Sequence, residues 1–190
     1  MTASRYDVGI LQVPAEARFE LAGRRAELEA ALTAAGLPVP LAAKAIARSG
    51  GVRVAWVGPR RWLISAPLSA ARDMRTALSE AIAPGSSSML ADVTGSTVTF
   101  VLRGADIADL LAQGIPHNIS IASFPAASIL ATEGWGVGLL LERDGEQVRM
   151  TVDVALAAYL SNCLHAAAGQ VADSLPGVMR APPPAIVVSR

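Results

Sequence analysis

The sequence predicts an α+β fold made of one duplicated strand–helix–hairpin–helix unit with pseudo-symmetric halves, and three observations carry that expectation. The first is a repeat. Phe19-Glu20-Leu21-Ala22-Gly23 leads through a helical stretch to Gly36-Leu37-Pro38, as Phe100-Val101-Leu102-Arg103-Gly104 leads to Gly114-Ile115-Pro116. A spacing of roughly 80 residues is too long for a solenoid and fits one duplicated supersecondary unit. The second is apolar alternation in paired runs, the mark of antiparallel hairpins. The third is the helical period of the segments between them, which places helices on one face of each sheet.

In chain order, Phe19 and Leu21 mark a short first strand. Val52, Val54 and Trp56 alternate, Gly58-Pro59-Arg60 turns the chain, and Trp62, Ile64 and Ala66 return it. Ala71, Met74, Leu78 and Ile82 share one helical face that stops at Pro84-Gly85. Val98, Phe100 and Leu102 open the second half as a strand, and Ile107, Leu110 and Leu111 form a helix ending before Gly114. Val137, Leu139 and Leu141 then pair through Asp144-Gly145 with Val148, Met150 and Val152. Leu156, Leu160 and Leu164 line the last helix, with Asp153 placed as its N-cap. The expected organisation is one pseudo-symmetric domain over residues 1–175. Its halves span about 8–83 and 89–172, joined by a linker at 84–88, and a proline-rich extended tail follows at 176–190.

Composition narrows the function classes. The formal net charge is +0, so no basic field recruits nucleic acid or anionic lipid. Charged residues make up 17% of the chain, against about 25% in an ordinary soluble domain. Alanine richness, with arginine in place of lysine almost everywhere, is one reading of this depletion; a surface partly covered by partner subunits is the other, and the two are compatible. Cys163 is the only cysteine, which rules out an intrachain disulfide and suits a reducing compartment. With no signal-peptide pattern and no apolar run near the roughly 20 residues of a membrane span, the expected location is the cytoplasm.

The chemistry-bearing residues form no recognisable constellation. His165 and Cys163 stand two apart on a predicted helix and point away from each other. His117 follows Pro116 in a turn, and Asp92 in Ala91-Asp92-Val93-Thr94 reads as a turn cap. Gly134, Gly136 and Gly138 imitate a nucleotide loop, but a strand rather than a helix follows, so they read as room for close packing or a bulge beside Trp135. No catalytic, cofactor-binding or metal-binding residue is therefore assigned.

One resemblance covers most of the chain, from about Val8 to Ala168. Val54-Ala55-Trp56-Val57-Gly58-Pro59-Arg60-Arg61-Trp62-Leu63-Ile64-Ser65-Ala66-Pro67 resembles the Gly-Pro-x-x-Trp-Leu signature of the gamma subunit of heterotetrameric sarcosine oxidase. Ala91-Asp92-Val93-Thr94, Leu102-Arg103-Gly104, Leu110 to Pro116, Phe124-Pro125 and Val152 to Leu164 follow in that family's order. The family is similar to the folate-binding domain of the glycine cleavage T-protein, the aminomethyltransferase fold. The resemblance implies an accessory, non-catalytic subunit of a flavoenzyme complex that oxidatively demethylates N-methyl amino acids. It implies alpha, beta and delta partners, with FAD, FMN, NAD, tetrahydrofolate and zinc on those subunits and no cofactor on this chain. Ile115, His117-Asn118-Ile119 and Ala126 to Thr132 depart from the family's pattern, which leaves the substrate open among sarcosine, dimethylglycine and N-methylproline. The alternative, with Asp92 as its carboxylate, is a stand-alone tetrahydrofolate-binding module or one-carbon transferase.

Overall fold

The computed structural model describes residues 5–169, so the tail expected at 176–190 lies outside the described residues. The elements run β1 (Gly9–Gln12), β2 (Glu16–Ala22), α1 (Arg25–Ala34), β3 (Ile46–Ser49), β4 (Val52–Gly58), β5 (Arg61–Pro67), α2 (Ala71–Ala81) and β6 (Met89–Asp92). The series from β2 to α2 then recurs as β7 (Thr97–Arg103), α3 (Ile107–Leu111), β8 (Ile129–Gly134), β9 (Val137–Asp144), β10 (Gln147–Asp153) and α4 (Ala157–Ala167). A one-turn 3₁₀ segment precedes α2 (Leu68–Ala70) and another precedes α4 (Val154–Leu156).

Two antiparallel sheets result, ordered β3-β4-β5-β2-β6 and β8-β9-β10-β7-β1. The orders are the same once the repeat is taken into account, except that the outermost strands are exchanged. β1 opens the chain yet pairs with β7, Ile10 opposite Leu102, while β6 follows the linker yet pairs with β2, Leu90 opposite Leu21. The repeated Phe-x-Leu-x-Gly runs explain how the exchange is accommodated. A Cβ on Gly23 would lie 3.0 Å from Ser88 Cα, just ahead of β6, and one on Gly104 would lie 3.0 Å from Val8 Cα, just ahead of β1. Each glycine lets the crossing strand pass against backbone.

The predicted core positions are largely filled as expected. Phe19, Leu21, Val54, Trp62, Ile64, Met74 and Leu78 pack with α1 on the first sheet, and Phe100, Leu102, Leu110, Leu141, Met150, Leu160 and Leu164 pack on the second. Asp153 Oδ1 accepts the Ala155 amide at 2.8 Å, so the predicted cap serves the 3₁₀ turn that leads into α4. Three features differ from expectation. β2 is as long as β7, seven residues each. The short strands β1, β3, β6 and β8 extend sheets expected to be smaller. Of the glycines around Trp135, Gly134 is close-packed as expected, a Cβ there lying 2.7 Å from Leu139 Cδ1 and 2.8 Å from Ile115 Cγ1, whereas Gly136 forms a tight turn with Trp135, at φ 74° and 50°.

The inner faces of the sheets meet, giving four layers in the order helix, sheet, sheet, helix. Ile46, Ala55 and Ile129 pack together where the two sheets touch. There Ile46 N donates to Ala127 O and Ile129 N to Lys44 O, both at 2.8 Å, closing a bridge between Ala45 and Ser128. Lys44 and Ala127 occupy matching places in the repeat, and both are left-handed, at φ 60° and 59°. That conformation burdens a residue with a Cβ by about 1–2 kcal/mol. Lys44→Gly and Ala127→Gly should therefore each raise the unfolding free energy by about 0.5–1 kcal/mol in a denaturant titration. A loss at either site would show that its side chain contributes more than the backbone strain removes.

Candidate functional site

The space between the two sheets is one place where this architecture could hold a ligand; a cavity of about 920 Å³ opens elsewhere, between the start of α3 and the β9–β10 turn. The inter-sheet space contains a cleft of about 540 Å³ lined by Arg18, Arg61 and Leu63 from one sheet and Thr97, Leu140 and Thr151 from the other. Strand alternation sets its lining. Ala17, Phe19 and Leu21 face the helices, so Glu16, Arg18 and Glu20 face inward.

Arg18, Thr97 and Thr151 of this lining belong to a buried ionic lattice between the sheets. Arg18, only 4% exposed, donates to Thr97 Oγ1 at 2.7 Å, Thr99 Oγ1 at 2.6 Å, Thr151 Oγ1 at 3.3 Å and Glu16 Oε2 at 3.3 Å. Glu16 receives a two-pronged guanidinium pair from Arg53 at 3.1 and 2.8 Å, and Arg149 at 2.8 Å. Arg53 Nε also reaches Glu142 Oε2 at 3.2 Å. Arg18, Glu16 and Arg53 belong to the first sheet, whereas Thr99, Glu142, Arg149 and Thr151 belong to the second. The lattice therefore ties the halves together across up to 133 residues of sequence.

Burial alone would raise the Glu16 pKa, but hydrogen bonding from Arg53 and the charges of Arg53, Arg149 and Arg18 outweigh it and hold the carboxyl below its ordinary value. Burial presses the Arg18 pKa down, opposed by Glu16 and Glu142. Arg53 feels the same burial, yet its bonds to Glu16 and the charge of Glu142 leave its pKa raised. Each charge is thus held by a partner within the lattice. At the rim Arg61 grips Glu20 at 2.8 and 2.7 Å.

The residues singled out in the sequence are not gathered here. Asp92 accepts the Thr94 amide at 2.9 Å and pairs with Arg75 of α2. The Thr94 bond and then Arg75 keep its pKa low, as the turn-capping reading requires. His117 is exposed in the loop after α3, while Cys163 and His165 lie on α4. Among the described residues, no group of three or more His, Cys, Asp or Glu is placed to hold a metal ion. No described helix is long and apolar enough to cross a membrane.

Sequence reasoning missed the lattice. Glu16 and Arg18 look like the wet face of a strand, and the only available signal was charge of both signs facing inward on strands of both halves.

A profile of the sarcosine oxidase, gamma subunit family matches residues 22–170. The chain belongs to that family. No individually curated protein matches it in sequence. Among solved structures, it is similar to a chain of the heterotetrameric sarcosine oxidase from Corynebacterium sp. U-96 in complex with pyrrole 2-carboxylate. The TM-score is 0.80 at 20% identity, covering 88% of this chain and 86% of that one. It is also similar to the glycine cleavage system aminomethyltransferase T from Bartonella henselae, with a TM-score of 0.66 at 17% identity. That match covers 85% of this chain and 46% of the other, so the sarcosine oxidase gamma subunit fold corresponds to about half of the transferase. A gamma subunit implies further subunits as partners and an oxidoreductase complex as the working unit.

Proposed function

We infer that this chain is a structural, non-catalytic subunit of its complex, and that the complex oxidises the N-methyl group of sarcosine or a related N-methylated amino acid. The ionic lattice carries the reading. A cleft that binds a pterin or an amino acid carboxylate offers donors free to meet it. Here the two arginines that line the cleft are engaged, Arg18 by Glu16 and by Thr97, Thr99 and Thr151, and Arg61 by Glu20. Arg53 and Arg149, which do not line it, are bonded to Glu16, with the buried Arg149 Nε left without a hydrogen-bond partner. The central space holds the halves together instead of presenting charge to a ligand. On this reading the dinucleotides, flavins, tetrahydrofolate and zinc reside on the alpha, beta and delta subunits, in the cytoplasm.

Two measurements test it. Titrating the purified chain with tetrahydrofolate should give no saturable heat, and saturable binding would favour the folate-module alternative. Co-expressing the other subunits with and without this chain should give a complex that falls apart without it. The flavin-bearing subunits that survive should retain their turnover per flavin in the half-reaction. A loss of turnover in a complex that stays assembled would place a reacting group on this chain.

A further inference from the structure

The duplication supplies an internal control for surface chemistry. α2 and α4 have the same length, each follows a 3₁₀ turn, and each ends the same series of strands. Their buried positions correspond, Met74 and Leu78 on α2 with Leu160 and Leu164 on α4. Their outward positions do not. α2 exposes Arg72, Asp73 and Glu80, where α4 exposes Ala158, Tyr159 and Ala166; at the place of the exposed Arg75, α4 has the buried Ser161. Between Asp153 and Gly169 the chain contains no Asp, Glu, Lys or Arg. Tyr159 is half exposed and Leu156 is 38% exposed; Val154 is half exposed too, as is Leu68 at the same place in the turn before α2, so the contrast lies in the helix and in Leu156. Alanine richness of the whole chain does not explain the contrast, because α2 comes from the same chain and keeps its charges.

The turn beside α4 departs from the repeat in the same direction. The β3–β4 turn is Gly50-Gly51, at φ 55° and 80°, whereas the matching β8–β9 turn is Trp135-Gly136. A left-handed tryptophan carries a backbone strain of about 1–3 kcal/mol that the glycine version of the same turn avoids. Tyr159 Oη donates to the Trp135 carbonyl at 3.0 Å, fixing the turn against α4. The first half closes this turn without an aromatic; here the indole lies over Gly114 and packs on the second-half core, so the turn adds its partly exposed outer edge to the surface beside α4.

We propose that the outward face of α4, with the Val154–Leu156 turn and the Trp135-Gly136 turn, is the surface on which another subunit of the oxidase docks. This rests on the subunit reading above and adds which face makes the contact. Charge complementarity selects the occupant. A face without Asp, Glu, Lys or Arg, whose one basic side chain is the half-buried His165, is a poor match for phosphates or anionic lipid, and it matches a protein surface equally poor in charge and rich in aliphatic and aromatic groups. Size selects the extent. α4 is about 16 Å long, too little by itself for the roughly 800 Å² per partner of a specific interface, so both flanking turns belong to it.

The test uses residues the fold already tolerates. Ala158→Arg with Ala166→Glu installs on α4 the residues that α2 carries as Arg72 and Glu80. The full chain, tagged at its N-terminus, is co-expressed with the remaining subunits, and captured flavin absorbance is read per tagged chain. The α4 pair should reduce captured flavin about tenfold or more, while Arg72→Ala with Glu80→Ala on α2 changes nothing. Thermal melting of the variant chain alone shows whether the fold is intact. If the double variant melts early, Asn162→Lys alone replaces it with the same expected loss. Capture at the wild-type level by a folded α4 variant overturns the proposal. So does a wild-type chain that is a dimer alone and that the α4 pair splits, since a second copy then covers the face. Failure of the wild type to capture any flavoprotein removes the subunit reading itself, and the proposal with it.

Discussion

Glu16→Ala should lower the unfolding free energy by about 3–5 kcal/mol, the range expected when one partner of a buried ionic network is removed. The size follows from what remains. Glu16 takes four of the lattice's bonds, two from Arg53, one from Arg149 and one from Arg18. Without it, Arg53 and Arg149, 14% and 12% exposed, keep only Glu142, at 3.2 and 3.9 Å, and Arg18, 5% exposed, is left with its threonine partners and no ion pair among the described residues. Glu16→Gln should cost less than alanine, because the amide oxygen still accepts a bond although the charge is gone. Arg61→Ala, which breaks an ion pair whose arginine is 62% exposed, should cost no more than about 1 kcal/mol. Urea titrations of the three variants check the order. A Glu16→Ala loss as small as that of Arg61→Ala would mean the lattice is not a clasp.

The same carboxylate gives a pH signature. Its folded pKa lies below the unfolded value, so its contribution is fully present above the ordinary glutamate pKa of about 4.3. It disappears as the pH falls through the folded pKa. The wild type should therefore lose stability below about pH 4 more steeply than Glu16→Gln. Parallel acid limbs in the two proteins would refute that assignment.

The period of the sequence carried the architecture, because apolar alternation and helical spacing record which face of each element meets its own helices. Phe19, Leu21, Phe100 and Leu102 were legible in that way. The exchange of β1 and β6 was not. Those strands are short, Gly9–Gln12 and Met89–Asp92, and nothing local tells a strand which sheet edge to join. The lattice was hidden for a related reason. Inward charge on an antiparallel strand looks like a solvated face until a second sheet covers it. The family resemblance could be read from the Trp62 motif, whereas the docking face needed α2 and α4 set side by side in space.

Gly104→Ala should cost about 3 kcal/mol and detach β1 from the second sheet. Gly104 has φ 136°, a region nearly closed to other residues, with a strain of about 1–3 kcal/mol for a residue with a side chain. A Cβ there would also overlap backbone, lying 2.8 Å from the Asp7 carbonyl carbon and 3.0 Å from Val8 Cα. The N-terminal strand cannot easily step back. Asp7 N is bonded to Asp106 Oδ2 at 2.8 Å, Arg5 N to Ala168 O at 2.9 Å, and Val8 is buried in the second-half core. Gly23 is the matched control. Its Cβ would meet Ser88 Oγ at 2.6 Å and Leu28 Cδ2 at 3.0 Å, side-chain atoms that can turn aside, with Ser88 Cα also at 3.0 Å. Gly23→Ala should cost about half as much. Amide exchange along the ladder that pairs Ile10 with Leu102 and Gln12 with Phe100 separates the two cases. Gly104→Ala should speed exchange there while the β2–β6 ladder stays protected, and Gly23→Ala should do the reverse. Equal costs, or a fully protected β1 ladder in Gly104→Ala, would show that the exchanged strands are held by something other than the passage these glycines leave open.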